Sequence, residues 1–382
     1  MSRPPAVGSD LVDFLIGAAF GFGEVVQLEG GAPEQRRVGE HALRMLIERP
    51  DVELVGLHAS SPAKIGRDAG ELAGLDVTTG VLATDDLDAL VALNADCVVY
   101  TSQAETRAQE AMAEIAAFLR AGTNVVGTSF VWLVAPDQAD EWLREPLAQA
   151  CADGGSTLYI NGVDPGFSGD TLVYAALSVS GRATAITVQE VFDYGSYDDA
   201  EFTGVSFGFG EDPGHTPILF LPGVLSSMWG AQVRDLADLL GVELDEVRER
   251  HETWVADEPI DCTMMRVEPG KVAAIRFAVE GIRDGAPVIT MEHVNRLTEA
   301  AAPDWPFPPE GRPGVHRVKV DGDPGVEINA HVGTDVADHN QGGVIATAAR
   351  AVNMINAACE APSGIVAARD VAPSDHVPGL MW

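Results

Sequence analysis

Two hydroxyl residues and two basic ones, Ser60, Ser61, Lys64 and Arg67, closely follow the apolar run from Val52 to Leu57, and no carboxylate precedes Asp68. A strand end that binds a ribose 2′-hydroxyl ordinarily supplies Asp or Glu at this point. Hydroxyls and cations suit a 2′-phosphate instead, which points to NADP, with NAD as the alternative. The plainer reading is a solvated loop carrying surface charges. A second chemically capable residue is Glu105, a few residues past the run from Asp96 to Tyr100. A carboxylate there can serve as a general acid or base and stabilise a developing cation. An acid that only complements a helix N-terminus is the competing account.

Such residues need elements to position them. VELVGL and DCVVY are short, β-branched and without a polar face, and helical periods separate them. Strands buried on both faces and alternating with helices imply a parallel sheet, which binds ligands beyond the carboxyl ends of its strands. EVVQL reads as the first strand and Val38 to Pro50 as the first helix. Asp85 to Ala95 and Glu105 to Gly122 read as further helices. From Ala183 the period changes to β: TAITVQEVFDY is a long strand, and hairpins turn at Asp284-Gly285 and between Gly322 and Gly325. Ser227 to Arg250 reads as helical and Gly342 to Gly364 as one long closing helix. The fold class is therefore α/β: a Rossmann-type doubly wound parallel sheet (residues 1–165), then an α+β domain with a mixed or antiparallel sheet (166–335). A C-terminal helix and tail (336–382) return to the first domain.

The chain has 382 residues with 58 acidic and 24 basic side chains, a formal charge of −34. That balance excludes the basic footprint that nucleic acid or an anionic membrane requires. Four dispersed cysteines without a CxxC pair read as reduced thiols of a cytoplasmic protein. No apolar run reaches membrane-spanning length, and Leu11 to Phe22 is too short. No HExxH motif or other metal-ligand spacing is present, so no metal is expected.

HASSPAKIGRDAGELAG, DCVVYTSQAE, NGVDPGFSGD and GGVIATAARAVNMI together resemble the amine dehydrogenases related to 2,4-diaminopentanoate dehydrogenase. These have a dihydrodipicolinate-reductase-like N-terminal domain. The resemblance runs from about Val38 to the C-terminus. It implies NAD(P)H-dependent reductive amination of a small ketone or aldehyde with ammonia, the reverse oxidative deamination of an amine, and a homodimer. It also implies that Glu105 is the catalytic acid and that Thr101, Gly162 and Asn340 contact the cofactor. Phe130, Trp132, Tyr159 and Phe167 follow strands of the same sheet and read as lining an apolar substrate pocket, with core packing the plainer account of each. One departure stands out. The family's tight glycine turn after the first strand is replaced by LEGGAPEQRR, a longer loop in which Gly30, Gly31 and Gly39 are left to approach the pyrophosphate. That departure favours an alternative, a non-catalytic Rossmann-type binding or regulatory protein.

Overall fold

The computed structural model describes residues 24–29, 33–104, 107–197, 200, 204–334 and 339–371. Its first layer is a seven-stranded sheet. The strands are β1 (Glu24–Glu29), β2 (Glu53–Ala59), β3 (Ala83–Thr84), β4 (Cys97–Tyr100), β5 (Asn124–Gly127), β6 (Thr157–Ile160) and, from the far end of the chain, β15 (Gly364–Val366). Their order is β15-β6-β5-β4-β1-β2-β3, and every neighbouring pair is parallel. This is the doubly wound order with one added edge strand, and its topological switch point lies between β1 and β4.

Burial explains why these strands carry no polar face. Val98, Tyr100, Val125, Leu158 and Ile160 pack under helices α2 (Ala108–Arg120) and α3 (Glu141–Gly154). On the opposite face Val25, Cys97, Val99, Val126 and Tyr159 pack under α1 (Pro33–Glu48) and the C-terminal helices α6 (His339–Val352) and α7 (Ile355–Glu360). The C-terminal segment thus completes the first domain, and α6 lies along α1.

The second layer is a six-stranded mixed sheet in the order β14-β13-β7-β12-β11-β8. Its strands are β7 (Ala183–Asp193), β8 (Glu246–Val255), β11 (Val272–Arg283), β12 (Ala286–Arg296), β13 (Gly314–Gly322) and β14 (Val326–Ala330), while β9 (Ile260–Asp261) and β10 (Arg266–Val267) form a separate ribbon. β7 and β12 are parallel and the other pairs antiparallel. Ile186, Val188, Ile289, Met291 and Val318 face inward against α4 (Thr171–Leu177) and α5 (Val224–Leu240). At the β11–β12 turn Asp284 and Gly285 both have positive φ (53° and 77°), as the Asp-Gly pair predicts.

Several boundaries differ from the sequence expectations. The first helix begins at Pro33 rather than Val38, so only three residues separate it from β1, and the connection is short rather than extended. Proline suits a first helical position because its φ is already set and its missing N–H would have no partner there. The helix expected through Arg250 stops at Leu240, where Gly241 takes up a left-handed cap (φ 64°), and 246–255 pair with β11 as an edge strand. The closing helix is broken between Val352 and Ile355 and ends before Gly364, which begins β15. Pro165 is extended (φ −62°, ψ 141°), and α4 starts only at Thr171 after the cap residue Asp170.

Candidate functional site

The carboxyl edge of the parallel sheet carries three loops of interest. After β2, Ser60 and Ser61 are exposed and Lys64 is half-buried in a turn closed by Lys64 N donating to Ser61 O at 2.9 Å. Arg67 is exposed and pairs with Glu71 at 2.9 Å. Asp68, the first carboxylate of this loop, is fully engaged: it accepts from Gly70 N (2.8 Å), Thr79 N and Oγ1 (3.1 Å each) and Gly80 N (2.8 Å). Burial works to raise its pKa, but the N–H groups of Thr79, Gly70 and Gly80 prevail and hold it below the usual carboxylate range. Its acceptor sites are therefore directed at the loop rather than at a ribose.

After β4, Thr101, Ser102 and Ala104 are buried. Ser129 Oγ donates to the Ser102 carbonyl, joining this loop to the one after β5. Arg107 is clamped by Glu114, and Tyr100 Oη donates to Glu114 Oε2 at 2.6 Å while accepting from Arg107 Nη1 at 3.3 Å. Burial, reinforced by Glu114, pushes the Tyr100 phenol far up, so it stays protonated. Glu105 itself lies outside the described residues, as do Gly30 and Gly31. Gly39 lies within α1, where its carbonyl accepts from the buried Gln27 Nε2 at 2.5 Å and ties α1 to β1.

After β6 the chain makes the turn that leads to the second domain. Asn161 Nδ2 donates to Asp170 Oδ2 (2.8 Å), and Arg350 Nε from α6 donates to Asn161 Oδ1 (3.1 Å). Gly166 has φ 142°, and a Cβ there would stand 2.5 Å from Asn161 Oδ1, so only glycine fits. Gly162 O accepts from Phe167 N at 2.9 Å and closes the turn. Asn340, at the start of α6, donates to Asp193 O (3.2 Å) and Ser196 Oγ (2.9 Å), fastening the C-terminal helix to the end of β7.

The four aromatic residues expected to share a pocket are distributed over three packing regions. Phe130 is fully buried beneath α2 and α3, with Trp132 6.1 Å from it, and Tyr159 lies on the opposite face of the sheet. Phe167 packs on the core of the second domain. Tyr159 alternates with Leu158 and Ile160 along β6 and so points to the face opposite theirs.

The sequence reading missed a polar cluster at the seam between the domains. Asp164 Oδ1 accepts from Trp229 Nε1 (2.7 Å) and lies 3.2 Å from His293 Nε2, and Ser168 Oγ donates to Asp164 Oδ2 (2.7 Å). Glu190 of β7 stands beside this pair and is the register partner of both His293 and His316. Burial opposes charge on His293, yet the Asp164 carboxylate outweighs it and raises the imidazole pKa, while Asp164 is held low in return. A signal did exist. Glu190 and His293 interrupt the inward stripes Ile186-Val188 and Ile289-Met291 at the period of a strand.

Comparison with known proteins agrees with this architecture. Residues 35–129 match the model of the dihydrodipicolinate reductase N-terminus, and residues 229–379 match the 2,4-diaminopentanoate dehydrogenase C-terminal domain. An amine dehydrogenase of Streptomyces virginiae is 38% identical over 338 residues, covering 87% of this chain and 93% of the relative. The structure of an amine dehydrogenase from Mycobacterium smegmatis shares the fold with a TM-score of 0.71 at 17% identity, covering 94% of this chain and 98% of that one. With the two-domain match and the close relative taken together, the chain belongs to the amine dehydrogenases, NAD(P)-dependent oxidoreductases that act on CH–NH2 donors.

Proposed function

We propose that this protein catalyses reductive amination of a small ketone or aldehyde with ammonia, and the reverse oxidative deamination, with NADP accepted at least as well as NAD. The observation that carries the cofactor reading is the engagement of Asp68. With that carboxylate turned to its own loop, the groups left at the ribose corner are Ser60, Ser61, Lys64 and the loosely paired Arg67. These residues fit a 2′-phosphate better than a ribose diol. The match to an amine dehydrogenase over most of the chain favours an enzyme over a non-catalytic binding protein.

In this reading Glu105 is the acid–base carboxylate. It follows β4 at the switch point, between the buried Ala104 and the clamped Arg107. The nicotinamide, when bound, supplies the reducing equivalents for the substrate carbon. The protein's part is to hold ammonia, move its protons and exclude water from the iminium. Thr101, Gly162 and Asn340 are proposed to border the cofactor, and the half-buried Trp132 beside Phe130 to shape the apolar surroundings of the substrate, whereas Tyr159 and Phe167 pack in separate cores. Small ketones and aldehydes, their amines and ammonia are the partners, handled by a homodimer in the cytoplasm. Among the described residues no helix is long and apolar enough to cross a membrane.

The test is consumption of NADPH and NADH by the purified chain with a panel of short ketones and aldehydes in ammonium buffer. Amine formation with a comparable or lower KM for NADPH is expected. Turnover that requires NADH alone would show that Ser60, Ser61, Lys64 and Arg67 do not meet a phosphate.

A further inference from the structure

One row of side chains crosses the inner face of the mixed sheet. His316, Glu190, His293, Phe277 and His251 are register partners on β13, β7, β12, β11 and β8. Phe277 stacks on His293 at 4.6 Å and Phe220 on His251 at 4.3 Å, so this half of the row is apolar packing. The other half is polar and abuts the turn after β6 through Asp164. Glu190 Oε1 is fixed by two donors, Tyr194 Oη and Asn295 Nδ2, each at 3.1 Å. Glu190 Oε2 has no hydrogen-bond partner among the described residues, and the side chain is only half-buried.

The charges facing Glu190 do not balance. Asp164 from the interdomain turn and His293 from β12 offset one another, and they lie nine-tenths or more buried, with side chains 5% exposed each. His316 from β13 rests against Phe192 at 4.9 Å, and burial keeps it neutral. Trp229 from α5 brings only a neutral N–H. The cluster therefore retains one negative charge, on Glu190, at the junction of two domains. His316 Nδ1 is buried without a partner among the described residues, and on a neutral ring it can accept. A metal ion bound through Asp164 would have to compete with Trp229, His293 and Ser168, which fill three of its roughly four acceptor sites. A group that brings its own N–H donors and one positive charge fits better.

We propose that Glu190, oriented by Tyr194 and Asn295, is a second carboxylate of the site that binds a primary ammonium, either ammonium ion itself or the amine product. This deepens the amination reading and rests on it. Glu105 handles the protons of the reacting nitrogen, whereas Glu190 raises the local concentration of the cation and sets its approach from the second domain. The Asp164–His293 pair behind it is a positioning element: it anchors the turn after β6 to the sheet that carries Glu190.

The experiment uses the full chain with NADPH and measures two things. One is KM for ammonium at saturating carbonyl. The other is the shift in melting temperature caused by methylammonium chloride relative to equal sodium chloride. Glu190→Gln is expected to raise the ammonium KM on the order of tenfold or more, the range for losing a charged hydrogen-bond partner. KM for NADPH should be unchanged and the methylammonium shift lost. Tyr194→Phe should move the ammonium KM the same way by a smaller factor, and Glu190→Asp should recover part of the loss. A folded Glu190→Gln variant with the wild-type ammonium KM overturns the proposal. If that variant does not fold, an unchanged ammonium KM in both Tyr194→Phe and Asn295→Ala overturns it. If the wild-type protein aminates no carbonyl, the amination reading fails by itself. The subsite then stands on a methylammonium shift that Glu190→Gln lacks, and falls if the wild type shows none.

Discussion

The two sheets handle polar residues in opposite ways. In the parallel sheet β4 and β6 are buried along their whole length, and apart from Gln27 on β1 and Thr157 at the start of β6 the buried polar groups discussed above come beyond the strand ends, at Thr101, Ser102, Asn161 and Asp164. In the mixed sheet they sit on the strands themselves. Its inner face carries Glu190 and His293. Its outer face carries a lattice in which Glu280 is held by Arg248 and Arg250, and Glu292 by Arg250, Arg276 and Gln189. The reason is coverage. Helices cover both faces of a parallel sheet and leave only its edge for chemistry, whereas an alternating sheet sends every second residue to a face that need not be core. A site built from both therefore takes loops from one domain and a wall from the other.

The comparison breaks most visibly at Glu105. If the edge of the parallel sheet carries the proton transfers, Glu105→Gln should lower kcat on the order of a hundredfold or more while leaving the NADPH dissociation constant unchanged. Full activity in that variant would reduce Glu105 to a helix-end acid and move the chemistry to the wall.

The turn that joins the domains should be intolerant of a side chain. Gly166→Ala places Cβ against Asn161 and demands φ 142° of an L residue, so a loss of about 2 kcal/mol or more in urea unfolding is expected. A smaller loss would mean that the Asn161–Asp170–Arg350 network yields easily.

The wall has its own signature in pH. Because the folded His293 pKa lies above the ordinary 6.5, its ion pair with Asp164 contributes fully below that value and is lost as pH rises through the folded value. Glu280 and Glu292 run the other way. Burial raises them, but Arg250 and its neighbours prevail and depress both, so their contribution is lost as pH falls through the folded values, below the ordinary 4.5. His293→Gln should therefore cost more stability at pH 6 than at pH 9 in denaturant titrations. Equal losses at both would show that His293 is neutral in the folded protein.

The smallest effect is expected at Arg67. Its pair with Glu71 is exposed, so Arg67→Ala should change stability by no more than about 0.5 kcal/mol. NADPH affinity should fall a few-fold with NADH affinity unaltered. A matching loss for both cofactors would place Arg67 on the shared part of the dinucleotide.

The strands of the first sheet were legible because burial on both faces writes itself into composition: VELVGL and DCVVY admit no other element of that length. The two hairpins were legible because Asp-Gly and Gly-rich turns demand positive φ. The start of α1 was not, since QRRVGEHAL reads as a helix wherever it begins, and the periodic signal does not register the earlier proline at position 33. The first half of the edge strand, 246–250, was mistaken for helix because EVRER is dominated by charged residues, and an exposed edge has little apolar alternation to display.

Sequence alone determined what each segment could become and where loop chemistry would fall, since helix period, strand alternation and turn residues act over a few neighbours. It also determined that no carboxylate stands between Leu57 and Asp68. Only the tertiary structure decided that Asp68 is turned to its own loop and that Phe130, Tyr159 and Phe167 part company into separate cores. Only it brought Asp164, Glu190 and His293 together from positions far apart in the chain. Strand register sets Glu190 beside His293, and the packing of the interdomain turn on the mixed sheet brings Asp164 to them. The partners in such contacts are chosen by the packing of whole elements, and no local pattern of residues encodes them.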